Sequence, residues 1–231
     1  MLKSRVLIVD DDTEIRDMIE IYLKTDEFDV VKASNGIEAL DVLQNSEVHL
    51  IILDIMMPEM DGIRTCLKIR EQMSIPIILL SAKNRDNDKI LGLGVGADDY
   101  VTKPFNPLEL MARIKAQIRR YTKLNSPNTK VENLIEIDDL KLDTKSHEVT
   151  KNGVKINLTP TEFDILKVLA LNRGIVLSID KIYEMVWNEP LYGANNLVMV
   201  HIRKLREKIE ANPGEPRYIK TVWGVGYKIE K

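Results

Sequence analysis

Hydrophobic positions fall into two rhythms along the chain. Through residue 121 they come mostly in short solid blocks, Val6-Leu7-Ile8-Val9, Leu50-Ile51-Ile52-Leu53 and Ile77-Ile78-Leu79-Leu80. Continuous apolar runs rich in β-branched residues read as strands buried on both faces of a parallel sheet. This predicts strands at 5–9, 29–33, 48–54, 76–81 and 99–102. Between them apolar residues recur at helical spacing, as in Ile15, Met18, Ile19 and Leu23, and predict helices over about 14–25, 37–45, 63–71, 86–94 and 107–121. Strict strand–helix alternation specifies an α/β fold, a doubly wound five-stranded parallel sheet with helices on both faces.

The rhythm changes after a polar, Pro-containing stretch at 122–134, which reads as a linker. From 135 to 158 apolar and polar residues alternate, with Asn152-Gly153 as a hairpin turn, so short antiparallel strands are expected. Thr159-Pro160-Thr161-Glu162 has the form of a helix start: a capping hydroxyl, proline at the first position, and glutamate three residues on. Helices follow to about 172, over 178–187 and over 196–211, and a hairpin over 218–229 closes the chain. The expected organisation is a domain over 1–121, a linker over 122–134 and an α+β domain over 135–231.

Composition narrows the function classes. No apolar run approaches the ~20 residues of a membrane span, and the N-terminus lacks a signal-peptide pattern. Cys66 is the single cysteine, so no internal disulfide can form; a core thiol in a reducing, cytoplasmic setting is expected. Residues 1–130 hold 18 Lys+Arg against 21 Asp+Glu, and 131–231 hold 15 of each. Residues 197–231 hold 8 against 4, a net +4 that points mildly to an anionic partner.

The chemistry lies at strand ends. Asp10 and Asp11 follow the first strand, Asp54 ends the third, Ser81 the fourth, and Lys103 follows the fifth. In an open α/β sheet these carboxyl ends share one rim. Three converging carboxylates repel one another, and a hard divalent cation such as Mg²⁺ relieves that. A lysine and a hydroxyl beside them suit phosphoryl oxygens, and the carboxylate suits a nucleophile that takes a phosphoryl group. Singly, each has an ordinary reading: Asp12 is read as a helix cap, Tyr100 could be a sheet aromatic, and Lys103 a surface lysine.

Ile8-Val9-Asp10-Asp11, Leu53-Asp54-Ile55-Met56-Met57-Pro58, Leu80-Ser81-Ala82 and Tyr100-Val101-Thr102-Lys103-Pro104 together resemble the receiver (flavodoxin-like) domain of two-component response regulators. The resemblance implies Asp54 as phosphoacceptor for a sensor histidine kinase. It implies Mg²⁺ held by Asp10, Asp11, Asp54 and the Met56 carbonyl, with Ser81, Tyr100 and Lys103 as switch and phosphate contacts and a cis Lys103–Pro104 peptide. It further implies a phosphorylation-driven homodimer through a charged face, with Lys89 opposite Glu109 and Asp98 or Asp99 opposite Arg113 or Arg120.

In the second half, Val198, Ile202, Leu205 and Ile209 make one buried stripe of the last helix. Asn196, Met199, Val200, Arg203 and Glu207 then face outward, flanked by His201, Lys204 and Lys208. An outward Asn, Arg and aliphatic residue suit major-groove readout. Leu158-Thr159-Pro160-Thr161-Glu162-Phe163, Val200-His201-Ile202-Arg203-Lys204-Leu205-Arg206 and Thr221-Val222-Trp223-Gly224-Val225-Gly226-Tyr227 resemble the OmpR/PhoB winged helix-turn-helix domain, and the last run resembles VanR-type regulators. The implied DNA contacts are Asn196, Val200, Arg203 and Lys204, with His201 and Arg206 on the DNA backbone and Thr221 and Trp223 on the wing. Trp223 stands where many members carry Arg. Promoter DNA and RNA polymerase are the implied partners. Two rival readings remain at this point. One is a constitutive DNA binder with a vestigial receiver. The other is an aspartyl-phosphate phosphatase, against which Glu14 counts in Asp10-Asp11-Asp12-Thr13-Glu14.

Overall fold

The computed structural model describes residues 3–82, 95–123, 134–187 and 195–230, with only the backbone given for Ala82, Arg120, Thr122, Lys123, Asn195 and Asn196. The expected helix at 86–94, with Lys89, lies outside the described residues, as does most of the linker. The chain forms two compact units, Met1–Thr122 and Lys123–Lys231.

The first unit contains β1 (Arg5–Val9), α1 (Thr13–Thr25), β2 (Asp29–Ala33), α2 (Gly36–Asn45), β3 (Leu50–Asp54), α3 (Gly62–Gln72), β4 (Ile77–Ala82), β5 (Asp99–Lys103) and α4 (Pro107–Lys123). Its sheet is parallel, in the order β2-β1-β3-β4-β5. The solid apolar blocks serve both faces, because successive strand residues point to opposite sides. Leu7, Val9, Ile51, Leu53, Ile77 and Leu79 pack with Ala39 and Leu43 of α2 and Cys66 and Ile69 of α3. Val6, Ile8, Leu50, Ile52, Ile78 and Leu80 pack with Ile19 and Leu23 of α1 and Leu110, Ile114 and Ile118 of α4. Each such side chain contributes roughly 1.5–3 kcal/mol by leaving water. Asp12 caps α1 by accepting from the amides of Glu14 at 2.8 Å and Ile15 at 3.4 Å, which is the cap role read from the sequence.

The second unit opens with an antiparallel sheet of β6 (Leu134–Ile137), β7 (Leu140–Asp143), β8 (Glu148–Lys151) and β9 (Val154–Ile156). Asn152 and Gly153, at φ 51° and 79°, make the β8–β9 turn. Then come α5 (Pro160–Leu171), α6 (Ile179–Trp187), α7 (Asn195–Ile209) and the hairpin β10 (Ile219–Val222) and β11 (Gly226–Ile229). The α5 capping box forms as read from the sequence: the Thr159 amide donates to Glu162 at 2.8 Å and the Glu162 amide to the Thr159 hydroxyl at 3.3 Å. Glu162 is buried and also receives Lys208 of α7 at 2.6 Å, tying α7 to the start of α5. At the far end of α7, the Glu210 carboxylate accepts from the amides of Arg217, Tyr218 and Ile219 at 2.7, 2.9 and 3.0 Å and fixes where the hairpin starts. A Cβ on Gly226 would lie 2.0 Å from the Leu177 carbonyl oxygen, so only glycine lets the hairpin pair with the backbone of Leu177, between α5 and α6. No described helix is long and apolar enough to cross a membrane.

Candidate phosphoacceptor site and DNA-binding face

The parallel register brings the strand ends together. Asp54 pairs with Leu80, and Ser81 lies one residue beyond, opposite Thr102. Asp10, Asp11 and Asp54 place carboxylate oxygens within 4.8 Å of one another. Asp10 is 0% and Asp54 4% exposed, whereas Asp11 is open to solvent. Lys103 reaches across from the end of β5, with Nζ 2.7 Å from both Asp10 Oδ2 and Asp54 Oδ1. The Met56 amide donates to Asp54 Oδ2 at 3.0 Å, placing that backbone at the rim, while its side chain points to solvent. Ser81 is buried, Tyr100 is half-buried against the core, and the Lys103–Pro104 peptide is cis.

The electrostatics are those of an anionic pocket. Burial pushes the Asp54 carboxyl above its ordinary value, and its bond to Lys103 offsets only part of that. Burial alone would lower the Lys103 ammonium, but the bonds to Asp10 and Asp54 outweigh it and raise it. Three carboxylates against one ammonium leave the rim two charges negative, and a divalent cation with oxygen preference matches that balance. The donor set therefore fits Mg²⁺, with Asp10, Asp11 and Asp54 to hold it.

Two contributors escaped the sequence reading. Arg16 of α1 donates to the Asp10 backbone carbonyl and to the Thr13 hydroxyl, bracing the acidic loop. A Cβ on Gly62 would lie 2.1 Å from the Asp54 carbonyl oxygen, so α3 starts against the backbone of Asp54 itself. Nothing local in the sequence signals what Gly62 abuts.

The charged-face expectation needs correction at Asp98. Its carboxylate is 0% exposed, receives Arg70 at 2.7 Å and accepts from the Ile77 amide at 3.0 Å, so it is an internal strut rather than a surface group. Asp99 is also buried and binds Arg113 of its own chain at 3.0 Å, and Arg113 in turn holds Glu109 at 3.0 Å. Glu109 is exposed; the Arg120 side chain lies outside the described residues, as Lys89 does.

On the second unit, Val198, Ile202, Leu205 and Ile209 are all buried, and Arg203 is exposed with Lys204 and Val200 partly so. Arg203 and Lys204 both bind Glu207, at 3.3 and 2.8 Å. The Asn196 side chain is outside the described residues. One expected DNA contact is corrected, and a second has a structural role. His201 is 1% exposed and packs 6.0 Å from the Trp187 ring, because it lies three residues after Val198 and four before Leu205, inside the apolar stripe. Arg206 donates to the Ile219 carbonyl at 2.6 Å and the Thr221 hydroxyl at 2.8 Å, so it braces the hairpin from within. Thr221 is exposed, and Trp223 stands 90% exposed at the hairpin tip beside Gly224 at φ 73°.

An acidic rim closed by a lysine, on a doubly wound sheet and followed by a winged helix, defines a response regulator of transcription. The known families agree: the response regulator receiver domain matches residues 6–115, and the C-terminal domain of transcriptional regulatory proteins matches 153–229. The chain is 47% identical over 231 residues, the full length of both, to the regulatory protein VanR of Enterococcus faecium. It is 41% identical to the alkaline phosphatase synthesis transcriptional regulatory protein PhoP of Bacillus subtilis (strain 168), covering 100% of this chain and 98% of that one. Among solved structures, a RitR mutant aligns at TM-score 0.78 and 26% identity over 99% of both chains. The Thermotoga maritima OmpR/PhoB homologue DrrB aligns at TM-score 0.52 and 34% identity over 100% of both. The chain belongs to the OmpR/PhoB-type two-component response regulators.

Proposed function

We propose that Asp54 is the phosphoacceptor, and that its phosphorylation by a sensor histidine kinase switches promoter binding. The observation that carries this is the convergence on one buried carboxylate of Lys103 at 2.7 Å and two further aspartates at metal-ligating distance. A deprotonated Asp54 oxygen attacks the phosphorus of a phosphohistidine; the P–O bond forms, the P–N bond breaks, and the imidazole takes up a proton. Lys103 pairs with a phosphoryl oxygen, the Ser81 hydroxyl donates to another, and Tyr100 follows into the space Ser81 leaves. Asp10, Asp11, Asp54 and the Met56 carbonyl would hold Mg²⁺, which would supply charge balance for an incoming phosphoryl group. The protein is not a turnover enzyme, though the acyl phosphate hydrolyses within the same site.

The response is a homodimer through the face carrying Lys89, Glu109, Arg113 and Arg120, with Asp99 acting through Arg113. The dimer presents two α7 helices to tandem half-sites. Val200, Arg203, Lys204 and Asn196 contact bases and nearby phosphates, while Thr221 and Trp223 contact the backbone or minor groove. RNA polymerase is the downstream partner, and the protein acts in the cytoplasm, where Cys66 stays a free thiol. The experiment is phosphorylation with a small-molecule phosphoryl donor, followed by intact-mass analysis, light scattering and promoter-binding titration. Wild type should gain one phosphoryl group, dimerise and bind more tightly, whereas Asp54→Ala should do none of these. Promoter binding that is identical in both proteins would instead support the vestigial-receiver reading.

A further inference from the structure

Helix α7 is the element assigned to DNA, yet every lysine and arginine it carries already has a partner. Its cations are Arg203, Lys204, Arg206 and Lys208, and its one acidic residue is Glu207. Arg206 is spent on the Ile219 carbonyl and the Thr221 hydroxyl, and Lys208 on buried Glu162. Arg203 and Lys204 remain, and a single carboxylate takes both. Arg203 Nε meets Glu207 Oε1 at 3.3 Å, and Lys204 Nζ meets Oε2 at 2.8 Å. Each oxygen of Glu207 thus holds one cation, as two oxygens of a phosphate would.

Helix stability does not account for Glu207. It stands in the last turn of α7, where the helix dipole disfavours negative charge. Arg203 precedes it by four residues, the less favourable order for such a pair. Arg203 and Glu207 both lie on the solvent side, where ion pairs add little to folding. The Lys204 bond above all holds the Glu207 carboxyl below its ordinary value, so it is ionised at neutral pH. What the carboxylate changes is the face itself: two cations and one anion present a charge of +1 to a polyanion instead of +2.

Resting on the assignment of α7 to the DNA-binding face, we propose that Glu207 is an internal competitor for DNA. Its carboxylate occupies Arg203 and Lys204 in the free protein and must give them up before they reach phosphates. Each contact to DNA is then an exchange, made at the expense of one within the helix, and the released carboxylate repels the same phosphates. The grip of a single subunit is thereby held down, which leaves promoter occupancy to the pairing of two subunits on one duplex.

The test uses the full-length protein without phosphoryl donor and a fluorescent duplex of random sequence, titrated by anisotropy across a KCl series. Glu207→Gln should bind about eightfold more tightly at ~0.1 M KCl, with a salt slope steeper by about 0.9, the contribution of one further phosphate contact. Arg203→Gln combined with Lys204→Gln should weaken binding. Adding Glu207→Gln to that pair should regain less than about twofold, since no cation is left to release. Unchanged or weaker binding by Glu207→Gln, while the Arg203 and Lys204 changes still cost affinity, would overturn the proposal and leave α7 on the DNA. An equal gain in both backgrounds would also overturn it, because Glu207 would then act by repulsion alone. If the Arg203 and Lys204 changes leave affinity unaltered, the assignment of α7 to DNA falls first and the proposal with it.

Discussion

Replacing Asp98 by alanine distinguishes a strut from an interface residue. In the folded receiver the Asp98 carboxylate is fully buried and meets Arg70 Nη2 at 2.7 Å, while the Ile77 amide donates to the same oxygen at 3.0 Å. Arg70 also donates to the carbonyls of Gly96 and Ile75, both at 2.7 Å, so one guanidinium fastens the end of α3 to the approaches of β4 and β5. Removing one partner of a buried pair costs about 3–5 kcal/mol. The Arg70 side chain is 11% exposed and keeps its carbonyl acceptors, which places Asp98→Ala near the lower end, about 3 kcal/mol. Asp98→Asn keeps an acceptor and loses only the charge, so it should cost roughly half as much. Cys66 provides the assay. It is the single thiol, it is 0% exposed in the receiver core, and its labelling by a disulfide reagent therefore reports receiver opening without interference from the second unit. At about 1.4 kcal/mol per factor of ten, Asp98→Ala should speed labelling by roughly 100-fold. Labelling changed by less than about threefold, together with weaker dimerisation of the phosphorylated protein, would refute the strut and restore Asp98 to the surface.

Further expectations can be tested by standard measurements. Burial raises the Cys66 thiol to about 11 from 9.0, so its stabilising contribution is full below pH 9 and disappears as pH rises through 11; receiver stability should fall across that window by about 2 kcal/mol more in wild type than in Cys66→Ala, measured by urea unfolding. Lys103→Met leaves Asp10 and Asp54 without their ammonium. It should lower receiver stability by about 2–4 kcal/mol in EDTA and enlarge the rise in melting temperature on adding Mg²⁺; an unchanged Mg²⁺ response would argue against a shared site. Gly62→Ala drives a methyl into the Asp54 carbonyl and should abolish phosphoryl uptake even where circular dichroism shows a folded chain. Trp223→Arg adds a cation to an exposed wing tip and should steepen the salt dependence of promoter affinity by about one unit of slope; an unaltered slope would place the wing away from DNA.

What could be read from the sequence was set by distance along the chain. Among the described residues the strands and helices came through because their signal is a local period, and the acidic rim came through because parallel topology sends the carboxyl ends of the strands to one edge. Helix α4 still ran to Lys123, two residues into the expected linker, since a polar surface helix and a linker start look alike at residue level. The misread residues share a different property: their partners are remote. Asp98 precedes β5 and so lies at the opposite end of that strand from the rim, beside Arg70, 28 positions earlier. The charge pattern that suggested an interface is therefore partly the fold's own internal wiring. His201 illustrates the same limit on a helix. It stands three residues after Val198 and four before Leu205, at the stripe's own spacing, and Trp187 of α6 covers it. The resemblance implies Arg206 as a contact to the DNA backbone; here the Ile219 carbonyl and the Thr221 hydroxyl take its donors, and that bond sets where the wing stands. The wing's position thus depends on a residue that holds its first strand from α7. Arg206→Lys, which keeps the charge but not the fork, should therefore weaken wing-dependent binding much more than it changes the salt slope.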